Sequence, residues 1–298
     1  MYKNATIILL AVVTVGLLFV SSKDTEKEDQ AKLMEKGIHV YPVPMPSELS
    51  FAGEAVPLTK YGIKERLDRE LLVNTYWQSN TMIMLKRSKR VFNIIEPILA
   101  RYDIPEDFKY LAAAESGLIN VTSPAGAKGV WQFMASSGKS YGLRINSQVD
   151  ERLHLEKSTE AACLYLKEAY QRFGSWSLAA ASYNRGMSGI SRDLAKQLVG
   201  DYYDLHLNTE TSRYLLRILA LKQVLSKPLD FGFHIEDKDY YTSQPFINIT
   251  VDQDILNLSE YAVSINSNYH ILKSMNPWIK GNELLVKDGP YTIKAPLQ

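Results

Sequence analysis

Cysteine is almost missing from this chain. Cys163 is the only one in 298 residues, which excludes an intrachain disulfide framework and a multi-cysteine zinc or iron–sulfur site. Histidine is scarce too. Five are scattered without HxxxH or HxH spacing, so no histidine-built metal site is expected, and no cofactor is implied. An excess of charge is also lacking: 34 Lys and Arg meet 33 Asp and Glu, for a formal +1. That balance gives no electrostatic argument for a nucleic-acid partner. Strand-like alternation is absent from the first 230 residues. What remains is ordinary globular composition, 46% hydrophobic and 22% charged, in a chain long enough for one large domain or two modest ones.

Long apolar runs are confined to the start. Residues 5–20 include Ile7, Ile8, Leu9, Leu10, Val12, Val13, Leu17, Leu18 and Phe19, and Ser21-Ser22 and a charged stretch follow. The run is short for a membrane-spanning helix and fits the apolar core of a secretory signal, so residues 1–22 read as a signal peptide or membrane anchor. Export to the cell envelope is the expectation, with membrane association through residues 5–20. No cysteine follows to carry a lipid. Residues 23–60, charged and then rich in proline (Pro42, Pro44, Pro46, Pro57), read as a linker or extended segment.

From Ile63 to about Tyr102 the spacing of Leu67, Leu71, Met82 and Leu85 predicts helix, with no Gly or Pro until Pro97. Further stripes follow at Ala161, Leu164, Tyr165, Ala169 and Phe173, and at Tyr214, Ile218, Leu221 and Leu225, the last closed by Pro228. After Asp230 the character changes. Residues 246–251 alternate as a strand, 255–275 read as helix broken near Asn266, and 291–294 are strand-like. A boundary near residue 235 separates a helical unit (61–235, core about 95–230) from a smaller α+β module (236–298).

One segment carries chemistry. Between Ile104 and Gly117, Pro105 suits a first helical position and Gly117 a stop. Phe108, Leu111, Ala112 and Glu115 fall at i, i+3, i+4 and i+7, which puts Glu115 on the apolar stripe. It also lies in the last turn, where the helix dipole is negative. Both effects raise a carboxyl pKa, as a general acid requires. The plainer alternative is a partly exposed glutamate at a frayed helix end. Next, Ser123 to Gly129 is a loop of small residues through which backbone amides can approach a ligand. Gln132 offers both donor and acceptor, while Trp131 and Met134 offer apolar contact. Tyr183 and Asn184 close a small-residue helix.

This ordered set resembles the catalytic domain of the soluble-type (SLT) lytic transglycosylases, which are lysozyme-like in fold. It consists of Glu115-Ser116-Gly117, then Ser123 through Met134, then Ser182-Tyr183-Asn184-Arg185-Gly186, with Asn208 through Tyr214 beyond. The resemblance implies a mainly α protein whose substrate is the glycan strand of peptidoglycan. It implies cleavage of the β-1,4 bond between N-acetylmuramic acid and N-acetylglucosamine, leaving a 1,6-anhydromuramoyl end. Glu115 would be the single acid/base. Ser123, Gln132, Met134 and Tyr183 would line the sugar site, with Asn184 supporting Tyr183. Residues 272–278 and 291–296 resemble a LysM module, a small peptidoglycan-binding fold; the alternative is a cap that binds nothing.

The residues agree with one feature of that chemistry. Hydrolytic glycosidases use a second carboxylate, yet no Asp or Glu lies between Glu115 and Asp150. A tethered hydroxyl can replace the water, because well-oriented intramolecular reactions reach effective molarities of about 10⁵–10⁸ M. A lysozyme-like hydrolase and a non-catalytic wall-binding scaffold remain as alternatives. Cys163, among Ala162, Leu164 and Leu166, reads as a buried structural thiol.

Overall fold

In the computed structural model the helical pattern that starts at Ile63 is divided between α1 (Ile63–Tyr76) and α2 (Gln78–Arg101). Residues 41–287 and 289–297 are described, so the apolar run at 5–20 and the expected signal or anchor lie outside the described residues. The break falls at Trp77, whose ψ of 57° leaves the helical region without any Gly or Pro to announce it. Pro97, by contrast, sits inside α2 and does not end it. It is exposed, as is Asn93 one turn earlier, so water can take the carbonyl that the missing proline N–H leaves unpaired.

The helix that carries Glu115, α3 (Phe108–Ser116), starts later than expected: Pro105 lies before it rather than in its first turn. Asp107 instead ties the helix entrance down, accepting from the Ala52 backbone N–H at 2.6 Å and from Lys222 at 2.7 Å. There follow α4 (Ala135–Ser140), α5 (Leu155–Phe173), α6 (Trp176–Arg185), α7 (Met187–Gln197) and α8 (Thr209–Ser226), the last continued by a 3-10 turn at Pro228–Phe231. Helix α8 is the hub, packing on α1, α3 and α6. Its Leu215, Leu216, Ile218 and Leu219 are fully buried, and each such side chain contributes about 1.5–3 kcal/mol. Cys163 is buried and unpaired, and burial pushes its thiol up to about 12.

Two expectations need correction. Residues 43–60 are not a spacer: Val43, Leu49, Phe51 and Val56 are buried in the main apolar cluster, and the Phe51 ring meets Phe108 edge-on at 5.1 Å. The same stretch holds a short antiparallel hairpin, β1 (Ser50–Phe51) with β2 (Glu54–Ala55), within the first 230 residues where no strand was read. Proline marks an irregular backbone, but an irregular backbone can still deliver apolar side chains to a core.

The C-terminal module is β3 (Phe246–Val251), α9 (Leu258–Ser264), α10 (Tyr269–Met275) and β4 (Tyr291–Pro296). The two strands pair antiparallel over their whole length, from Phe246 opposite Pro296 to Val251 opposite Tyr291. Tyr291, Ile293 and Ala295 of β4 face a second apolar cluster around Leu258, Leu272, Trp278 and Leu284. Val149, from the helical part, lies inside that cluster, and Val43–Gln298 form one compact unit. Among the described residues no helix is long and apolar enough to cross a membrane.

Candidate active site

Helix α3 carries Glu115 to the edge of the core. Phe108, Leu111 and Ala112 on its stripe are fully buried, while Glu115 is partly buried and opens on a cleft of about 470 Å³. Gly117 ends the helix in the left-handed conformation at φ 61°, donating to the Ala113 carbonyl at 2.9 Å. The Tyr214 hydroxyl, on α8, donates to Glu115 Oε1.

Glu115 holds its proton far above the ordinary 4.5, to about 7. Burial is the main cause; the Tyr214 hydroxyl and the Arg217 charge pull the other way, and Glu210 adds to the rise. Glu210 is exposed and begins α8, so the fold brings to Glu115 a second acid that no local spacing showed. Tyr183 and Tyr214 both hold their protons well above the ordinary 10.0, through burial first and then the charge of Glu115. These three groups therefore form one electrostatic unit.

The loop after α3 is built around two constraints. At Gly129 φ is +86°, and a Cβ there would lie 1.9 Å from the Arg152 carbonyl oxygen, so only glycine fits. Arg152 is itself buried. Its guanidinium grips Asp150 through Nε and Nη2, each at 2.8 Å, and donates through Nη1 to the carbonyls of Gly126 at 3.0 Å and Phe133 at 3.1 Å. Burial opposes ionisation of Asp150, but Arg152 and Lys128 outweigh it and hold the carboxyl below its ordinary 3.8. The Asp150 backbone N–H donates to the Trp278 carbonyl at 2.8 Å. One buried ion pair thus joins the loop to the C-terminal module.

Each expected site residue can now be placed. The Ser123 hydroxyl accepts from the Ala127 N–H at 3.0 Å, within its own turn. Gln132 has the left-handed φ of 50°, uncommon for a residue with a side chain. Its Nε2 donates to the carbonyls of Val121 at 3.1 Å and Gly129 at 2.7 Å. Met134 caps α4 and is 44% exposed. The Tyr183 hydroxyl donates to the Trp131 carbonyl at 2.8 Å, which fixes α6 against the loop. Asn184 reaches α8, donating to Glu210 at 3.2 Å and accepting from Thr211 at 2.8 Å.

Of the six, Glu115 alone lines the 470 Å³ cleft; Val121, whose carbonyl receives Gln132, links the loop to its wall. Trp131, expected to touch ligand, is instead fully buried, its indole N–H donating to Thr159 at 2.8 Å. Two features escaped the sequence reading. Tyr214 stands on an apolar stripe and in the stretch 208–214, neither of which names its partner; a buried tyrosine hydroxyl usually finds one, and here it is Glu115. Of the charged and aromatic residues on the rest of the cleft wall, Glu70, Trp77 and Arg217 fall in no motif, while Arg213 belongs to the stretch 208–214.

Comparison with known proteins gives this geometry a class. Residues 92–204 match the Transglycosylase SLT domain family, and residues 247–298 match the soluble lytic transglycosylase C-terminal LysM-like domain family. The chain carries a transglycosylase SLT domain followed by a LysM-like domain. Over 241 residues it is 26% identical to the membrane-bound lytic murein transglycosylase D of two strains of Escherichia coli, which covers 78% of this chain and 51% of each relative. The chain therefore spans about half the length of the curated relatives it matches.

Proposed function

We propose that this chain is a peptidoglycan lytic transglycosylase of the cell envelope, with Glu115 as its single acid/base. Residues 61–235 form the catalytic unit and 236–298 a module that adds contact with the glycan. The observation that carries the reading is a carboxyl in the last turn of α3, open to a cleft and still protonated at about pH 7. With Tyr214 on Oε1, the transferable proton belongs on Oε2.

Glu115 gives that proton to the glycosidic oxygen as the bond from C1 of the muramoyl sugar breaks. The muramoyl 6-hydroxyl then attacks C1 to close the anhydro ring, and its proton returns to the Glu115 carboxylate. No water is consumed and the carboxyl ends as it began. Ser123, Gln132 and Tyr183 shape the loop that borders the sugars through their internal hydrogen bonds, Met134 offers its exposed side chain to them, and Asn184 keeps the end of α6 in place from α8. The match to relatives named as murein transglycosylases supports this reading.

Glu210 supports a second one. Its charge acts on Glu115, so it could activate water in a lysozyme-like hydrolysis. Mass spectrometry of products from purified murein separates the two. Muropeptides one water lighter than reducing ends, still formed by Glu210→Gln and absent with Glu115→Gln, support the transglycosylase. Reducing ends alone, lost with Glu210→Gln, would establish the hydrolase. Binding to murein without any soluble product would leave a scaffold.

A further inference from the structure

The cleft that holds Glu115 has one strongly charged wall. Arg213 and Arg217 lie one turn apart on α8, and both reach Glu70 of α1, which is 1% exposed. Arg213 meets it at 2.6 Å and Arg217 at 3.7 Å, each through Nε, and Arg69 joins at 2.9 Å. Three guanidinium groups around one carboxylate leave a surplus of positive charge. Neither Nη atom of Arg213 or Arg217 has a hydrogen-bond partner among the described residues, although both side chains are partly exposed, at 23% and 32%. Glu70 therefore acts as a buried anchor that aims two guanidinium forks at the cleft. A planar fork suits a carboxylate, which it can meet through two parallel bonds.

Beside the arginines the wall is apolar. Trp77, at the break between α1 and α2, is 61% exposed, and Val73 one turn before it is 41% exposed. A tryptophan held open by a helix break offers a flat face to a ligand. All of these residues lie outside the segment 92–204 that matches the SLT family, and of them only Arg213 falls in a stretch that resembles that family.

We infer that this wall, Arg213 and Arg217 with Trp77 beside them, is a subsite for the carboxylates of the peptide branch carried by the muramoyl sugar. The inference rests on the proposed glycan substrate, whose peptide stems are its main source of negative charge. Arg217 and Arg213 take the carboxylates and Trp77 supports the uncharged part of the branch. Glu115 is then reached from the sugar side while the peptide lies along α1 and α8.

The test reads binding in the Glu115→Gln protein, so it does not depend on turnover. Three soluble glycan preparations serve as probes: one with free stem carboxylates, one with those carboxylates converted to amides, and one stripped of peptide so that only the lactyl carboxylate remains. The free-acid form should bind about tenfold more tightly than either of the others, the scale of one charge-assisted hydrogen bond. Adding Arg217→Gln should erase that preference, and Arg217→Lys should restore part of it. Arg217 is the residue to change because Arg213 is the closer partner of buried Glu70. Trp77→Ala should weaken free-acid and amide forms alike. Equal affinity for those two forms, or a preference that survives Arg217→Gln, would overturn the subsite. Equal affinity for stripped and peptide-bearing glycan would overturn the assignment to the peptide. Absence of anhydro products from the wild type would refute the proposed reaction and leave this binding result standing.

Discussion

Glu115→Gln should stabilise this protein at neutral pH while abolishing its activity. In the folded chain the carboxyl keeps its proton up to about pH 7, against 4.5 for an ordinary glutamate. The native state thus binds the proton more tightly than the unfolded chain, and between those values stability falls as pH rises. At about 1.4 kcal/mol per pH unit, the full displacement costs the wild type about 3 kcal/mol by pH 8. Glutamine has the same shape, still accepts from Tyr214, and has no charge to desolvate. The stability difference between variant and wild type should be small at pH 4, grow in favour of the variant through pH 5–7, and level off above. Urea denaturation of both proteins at each pH reads this directly, because the other titrating groups are common to both. A difference that stays flat with pH, or a variant that loses stability as pH rises, would refute the claim that burial raises this carboxyl.

Tyr214→Phe removes the donor that favours the charged form of Glu115. The alkaline limb of the pH–rate profile should move to higher pH, and kcat/KM should fall about tenfold for one charge-assisted bond; a limb that moves to lower pH would contradict this. Gly129→Ala sets a methyl group 1.9 Å from the Arg152 carbonyl oxygen at φ +86° and should cost about 3 kcal/mol or more, seen as a lower denaturation midpoint; an unchanged midpoint contradicts the close packing. Asp150→Asn leaves Arg152 buried without its counter-charge and should cost about 3–5 kcal/mol. Since the Asp150 carboxyl is held below its ordinary 3.8, its contribution is fully present above that value and lost as pH falls through the depressed one. Faster amide exchange in residues 123–133 of Asp150→Asn should accompany the loss.

Elements with a clean period were legible from the sequence. The stripe Phe108, Leu111, Ala112, Glu115 follows helical spacing and ends in a glycine, and the structure places a partly buried acid in the last turn of a helix. Residues 246–251 and 291–294, which the sequence marks as strands, lie in the observed pair, whose second strand runs on to Pro296. Features without a local signature were not legible. The break at Trp77 has no Gly or Pro to mark it. Phe51 and Val56 reach the core from an irregular segment, where no period exists to be read. Trp131 reads as an apolar contact for a ligand, yet its indole is buried and donates to Thr159.

The site was legible in its acid and not in its surroundings. Helix spacing put Glu115 on an apolar stripe and the ordered motifs singled it out, but the group bonded to it comes from 99 residues further along. Within the stripe of α8, Tyr214 is set apart from Ile218, Leu221 and Leu225 by its phenol hydroxyl, and that hydroxyl touches the acid. Likewise Glu70 is 143 residues from Arg213, so only the packing of α1 on α8 reveals the charged wall.

A direct titration of the Glu115 side-chain carboxyl bears hardest on this account. Carbon-13 NMR of glutamate-labelled protein, with the signal assigned by its disappearance in Glu115→Gln, should show a midpoint of about 7. A midpoint near 4.5 would leave the helix-end glutamate ionised at neutral pH, without a proton to give to a glycosidic oxygen.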